Sequence, residues 1–150
     1  MSTVAVSIDI AAPAATVWEF AMDPGSTLEW VTIVRAVSDV DDGPLRRGFR
    51  MHQTLALRGV PFRVAWTLVE MRAPHFARWE GRGPARSTAV IEDTLRERDG
   101  VTNFHYANTF RAPFGPLGAV ASHAMVGGIP EKEAIASLER LKQRLENAAE

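Results

Sequence analysis

One long amphipathic helix, from Pro130 to Ala149, sets the terms for the rest of this chain. It reads PEKEAIASLERLKQRLENAA. Ala134, Leu138, Leu141, Leu145 and Ala148 recur at three- and four-residue spacing and share one face. Lys132, Glu139, Gln143, Arg144 and Glu146 occupy the other. Pro130 suits a first helical position, because its missing N–H would be unpaired there anyway. Glu131 and Glu133 follow in the first turn, where the helix dipole favours negative charge. A helix that is wet on one side and apolar on the other needs a second apolar surface.

Residues 44–111 read as the antiparallel sheet that supplies it, preceded by a first strand. Residues 3–10 alternate, with Val4, Val6, Ile8 and Ile10 on one side, as a half-buried strand does. Pro13 then opens a short helix with Val17, Trp18 and Ala21 on one face. Asp23-Pro24, an acidic cap followed by proline, starts a second that runs to about Trp30. Strand two is predicted over 31–40, strand three over 47–57 and strand four over 60–71. With Arg58-Gly59 as the hairpin turn, Leu57 faces Val60, Leu55 faces Phe62, Gln53 faces Val64, Met51 faces Trp66 and Phe49 faces Leu68. One face is then almost wholly apolar, and a one-residue slip would reverse it.

Strand five is predicted at about 76–81, its facing ambiguous by one residue, before a loop at 81–84. Strands six (86–98) and seven (101–111) are joined by Asp99-Gly100, a strong hairpin signal. That turn places Leu95 opposite Phe104, Asp93 opposite Tyr106 and Ile91 opposite Asn108. Residues 117–126 read as helical, with Gly127-Gly128 interrupting before the final helix. The whole is one strand, two short helices, six strands and a long helix. That is α+β, with helices gathered on one face or end of an antiparallel sheet.

Composition excludes several function classes. At 150 residues the length is that of one domain, 1–150, able to bury roughly 70% of its unfolded surface. A net charge of −1 argues against nucleic acid as a partner, which would call for a basic stripe. The chain has no cysteine, hence no disulfide framework, thiolate metal site or cysteine nucleophile. No histidine–carboxylate spacing of the HExxH kind, no GxSxG elbow and no phosphate-binding glycine loop occurs, so neither metal nor cofactor is expected. Without a signal-peptide pattern or an apolar run of membrane-span length, the expectation is a cytoplasmic protein with no membrane insertion. Oligomeric state stays open, a homodimer included.

The order of elements resembles the START / Bet v 1-like superfamily, the polyketide cyclase, dehydrase and lipid-transport type. The residues that carry the likeness are Ile8-Asp9-Ile10-Ala11-Ala12-Pro13 running into Val17-Trp18-Glu19-Phe20, then Asp23-Pro24 and Trp30. Gly48 before a strand-turn-strand unit, Leu117-Gly118 after the last strand and Leu138-Glu139-Arg140-Leu141-Lys142 add to it. The resemblance implies a helix-grip fold: a seven-stranded sheet wrapped around the C-terminal helix, with a cavity between them for a small hydrophobic ligand. It does not imply one activity, since such proteins range from inert carriers to cyclases.

Asp93 is the most informative polar residue, a carboxyl on the inferred concave face opposite the Tyr106 phenol. Burial would raise its pKa, and the two could serve as acid and base on a ligand; alternatively Asp93 sits wet and idle near the sheet's open end. Gln53 and Asn108 share that face and either orient a ligand carbonyl or hydroxyl or make plain structural hydrogen bonds. Trp30, Phe49, Met51, Trp66, Trp79, Ile91 and Phe104 either wall a pocket or fill a core. His123 sits at the edge of an apolar helical face, a candidate third catalytic group; His52, His75 and His105 fall on solvent faces or turns. Three functions follow: a carrier of a small hydrophobic polyketide- or lipid-like molecule, a polyketide cyclase, aromatase or dehydratase, or an interaction and maturation factor.

Overall fold

A computed structural model describes residues 2–111 and 129–148. Its strands are β1 (Ser2–Ile10), β2 (Val34–Ser38), β3 (Arg50–Leu57), β4 (Val60–Arg72), β5 (Phe76–Arg82), β6 (Thr88–Arg98) and β7 (Val101–Arg111). Helices α1 (Ala14–Ala21) and α2 (Thr27–Trp30) lie between β1 and β2, and α3 (Ile129–Ala148) follows the sheet. The seven strands form one sheet in the order β1-β7-β6-β5-β4-β3-β2, every neighbouring pair antiparallel. Together with α3 this is the helix-grip fold. The predicted helix at 117–126, with His123, lies outside the described residues.

Both tight hairpins sit where the turn residues place them. Asp99 and Gly100 have φ of 54° and 78°, and Arg58 and Gly59 have φ of 50° and 76°. Two consecutive positive φ angles give the turn whose twist matches the flanking strands. The pairs Asp93–Tyr106, Leu95–Phe104, Gln53–Val64 and Met51–Trp66 all occur in the predicted register.

The element ends differ in instructive ways. Strand two is only Val34–Ser38, because the chain is still closing α2 at Val31, whose N–H bonds the Thr27 carbonyl at 2.9 Å. Strand three starts at Arg50 rather than 47, because residues 46–49 form a turn closed at 2.9 Å with Gly48 at φ 92°. Strand six starts at Thr88 because Pro84–Arg86 forms a short 3-10 turn. Arg82, predicted as loop, and Gly81, where the predicted strand and loop meet, both belong to β5. A register shift between Leu68 and Glu70 fixes the facing of β5, so that Trp79 opposes Leu68 and Ile91 and points inward.

On α3, Leu138, Leu141 and Leu145 are buried in one cluster with Phe49, Trp66, Leu68, Trp79, Leu95 and Phe104. Ala148, assigned to the same face, is exposed, and Ser137 is buried instead. Ser137 Oγ accepts from the Thr32 N–H at 3.0 Å and donates to the Glu133 carbonyl at 2.8 Å, which ties the helix to the start of β2. Farther along, Lys142 Nζ donates to the Asp9 carbonyl at 2.8 Å, and Glu146 accepts from the Ala11 N–H at 2.8 Å. Lys142 and that Ala11 N–H hold the Glu146 carboxyl below its ordinary pKa. Helix α1 has no capping side chain of its own; Glu97 on β6 accepts from the Ala14 N–H at 2.7 Å. The helices are thus fastened at the rim, and among the described residues a space remains under the N-terminal half of α3.

Candidate functional site

That space is a cavity in two adjoining compartments. The inner one, about 130 Å³, is lined by Met22, Thr27 and Trp30, by Met51, Gln53, Trp66, Trp79, Ile91 and Asp93 on the sheet, and by Leu138 on α3. The outer one, about 210 Å³, runs past Leu57, Val60 and Phe62 to Pro84 and Ser87, with Pro130 and Glu133 on the helix side. Ile33, Leu55, Trp66, Tyr106, Asn108 and Ala134 line both. An apolar cavity of about 150 Å³ can hold a benzene ring, so the inner compartment is of the size for one ring or a short chain.

Most of the predicted ligand-binding residues meet here: Trp30, Met51, Gln53, Trp66, Trp79, Ile91 and Asn108, together with Asp93 and Tyr106. Phe49 and Phe104 do not line either compartment. Each is packed in the core, Phe49 edge-on to Trp79 at 6.4 Å and Phe104 edge-on to Trp30 at 6.2 Å. They support the wall without facing the cavity.

Gln53 is hydrogen-bonded within the protein at both its amide oxygen and its amide nitrogen. Its Oε1 accepts from Trp66 Nε1 at 2.9 Å, and its Nε2 donates to Thr27 Oγ1 at 3.3 Å. Thr27 in turn donates to the Pro24 carbonyl at 2.8 Å. This chain joins the α2 turn to β3 and β4 and sets the tilt of the Trp66 indole. Pairing with a residue far away in sequence leaves no local signal, so Thr27 was invisible to sequence reasoning. Ser87 at the outer lip was missed likewise; its Oγ donates to the Pro84 carbonyl at 2.8 Å.

Asp93 is different. It is 7% exposed, and its Oδ1 has no hydrogen-bond partner among the described residues. Burial pushes its carboxyl up to about 7. Tyr106 makes no hydrogen bond to it. The Tyr106 hydroxyl instead accepts from Asn108 Nδ2 at 3.1 Å, two residues along the same face of β7. Burial, and then the nearby Asp93 charge, raise the phenol well above its ordinary pKa, against the lowering effect of that bond. Asn108 Oδ1 is also buried and unpaired. Two buried acceptor oxygens, on residues that line the cavity, therefore have no donor among the described residues. A carboxyl titrating near neutrality can take or give a proton at physiological pH, while the phenol stays neutral.

Among the described residues no cluster of side chains could hold a metal ion, and no helix is long and apolar enough to cross a membrane. His52 is on the outer face, its Nδ1 3.1 Å from Asp39 Oδ2, and His75 and His105 are exposed.

Comparison with known proteins agrees with this geometry. Residues 1–146 match the family described as Polyketide cyclase / dehydrase and lipid transport. A protein of Mycobacterium tuberculosis strain H37Rv, named Toxin Rv0910, is 25% identical over 133 residues, covering 87% of this chain and 92% of its own length. The crystal structure of TTHA0849 from Thermus thermophilus superposes with a TM-score of 0.77 at 14% identity, covering 99% of this chain and 100% of that one. That of Ara h 8.0201 gives 0.65 at 11% identity, covering 97% and 98%. At such identities the two structures speak to the fold.

Proposed function

Since this chain belongs to the polyketide cyclase / dehydrase and lipid transport family, we propose that it binds a small hydrophobic molecule, polyketide- or lipid-like, between the sheet and α3. The apolar body of the ligand fills the outer compartment, and its polar end reaches Asp93, Tyr106 and Asn108. The observation that carries this reading is the pair of unsatisfied oxygens, Asp93 Oδ1 and Asn108 Oδ1, on residues that line a mostly apolar cavity. An unpaired buried polar group is costly, and it is retained to advantage when a ligand completes it.

The same carboxyl supports a second, finer reading, a cyclase, aromatase or dehydratase. Asp93 would move a proton while the cavity holds a reactive chain folded. Tyr106 would orient a carbonyl as a neutral donor, since its hydroxyl proton is not used by the Asn108 bond.

Native mass spectrometry of protein purified from its own host tests the binding reading. A co-purified hydrophobic molecule is expected, lost on mild denaturation. Protein that carries none, and that also fails to bind an apolar dye such as ANS saturably, would overturn it. Given a ligand, the enzymatic reading requires that wild-type protein convert it and that Asp93→Asn bind it without turnover.

A further inference from the structure

The charges around the cavity are one-sided. Among the described residues the ionisable side chains lining its two compartments are Asp93, Tyr106 and Glu133, and no lysine or arginine lines either. The sequence between Arg111 and Lys132 contains no lysine or arginine, and Arg111 and Lys132 are themselves exposed. In that stretch His123 alone, which lies outside the described residues, could carry a positive charge. Of the two arginines in β5, the strand beside β6, Arg78 pairs with Glu92 at 2.9 Å and with Glu70 at 3.4 Å, and Arg82 is exposed. Among the described residues, ionised Asp93 thus has no counter-cation in its own wall.

We infer that the ligand is a hydrophobic amine, whose ammonium group pairs with Asp93 and donates to Asn108 Oδ1. This rests on the binding reading above and names the chemistry of the ligand's polar end. Three features of the wall select it. An ammonium has several donors, enough for both unsatisfied oxygens, whereas an alcohol has one. Trp30, Trp66 and Trp79 line the same compartment and can present aromatic rings to a cation. A carboxylate ligand would meet two acceptors and a like charge, which disfavours it.

The test uses three probes with one hydrocarbon body, decylamine, decanol and decanoate, titrated into the whole protein by calorimetry at about pH 8. Charge-assisted hydrogen bonds predict that decylamine binds at least about tenfold tighter than decanol, with decanoate weakest. In Asp93→Asn the amine-to-alcohol ratio should fall towards one. In wild-type protein that ratio should also grow from about pH 5 to about pH 8, as Asp93 ionises. The pH series needs no variant and stands even if Asp93→Asn fails to fold. Decanol or decanoate binding as tightly as decylamine would overturn the amine inference and leave the cavity reading intact. So would an amine preference that survives Asp93→Asn or ignores pH. No binding by any of the three would overturn both.

Discussion

The six-membered ring of Trp66 occupies the space that a side chain at position 81 would need. A Cβ built on Gly81 would lie 2.6 Å from Trp66 Cζ3 and 2.8 Å from Val64 Cγ1. Gly81 and Trp66 are cross-strand partners on β5 and β4, and both line the outer compartment. The missing side chain lets the indole settle against the sheet, with Gln53 holding its Nε1. The cavity's width at this point is therefore set by a glycine.

Gly81→Ala should push the indole off its place or bend the strand. Forcing extra atoms into a packed wall costs about 1–3 kcal/mol. Chemical denaturation should show that loss, and ligand or dye affinity should fall with it, because Trp66 would move into the cavity. A variant with wild-type stability and unchanged tryptophan emission would mean that the wall yields freely here.

Leu141 is completely buried beneath α3. Leu141→Ala removes the centre of the helix's apolar face and should cost about 2–5 kcal/mol, as other large-to-small core changes do. Urea unfolding followed by far-UV circular dichroism would measure it, and a loss near zero would show that the helix is held by its rim contacts alone.

Much of this arrangement was legible in the sequence, and the rest was hidden for identifiable reasons. Asp99-Gly100 fixed the turn, so the meeting of Asp93 and Tyr106 followed from counting along two strands. That the hydroxyl accepts from Asn108 and makes no bond to Asp93 did not follow, because side-chain torsions decide it. The facing of Trp79 depended on the irregularity between Leu68 and Glu70, which no residue type announces. Gly81, in the run Gly81-Arg82-Gly83-Pro84, carried the signature of a loop, and only the neighbouring indole shows why a strand needs glycine there.

Arg58 adopts φ 50° in the β3–β4 turn, a region that asparagine tolerates better than arginine. Arg58→Asn should stabilise the protein by roughly 0.5–1 kcal/mol, without touching the cavity. A thermal melt of the two proteins side by side would decide, with a lower melting temperature counting against the turn assignment.

The strongest pH dependence should come from Asp93. Its carboxyl titrates near 3.8 when unperturbed and at about 7 in the folded protein, raised by burial. Between those values the folded state holds a proton that the unfolded state has released. Stability from this group is therefore fully present below about pH 4, declines as pH rises, and is lost once pH passes about 7. A shift of this size corresponds to a few kcal/mol, on the order of 1.4 per unit. Asp93→Asn keeps the shape and cannot ionise. It should lack this component of the decline, and the gap between variant and wild type should widen in the variant's favour from about pH 5 to about pH 8. Denaturant midpoints of both proteins across that range provide the measurement. Parallel curves would mean that Asp93 ionises as readily folded as unfolded, and that its neighbours solvate the charge after all. An amine ligand would reverse the trend in wild type alone, because it binds the ionised carboxyl and stabilises the folded state most at the higher pH.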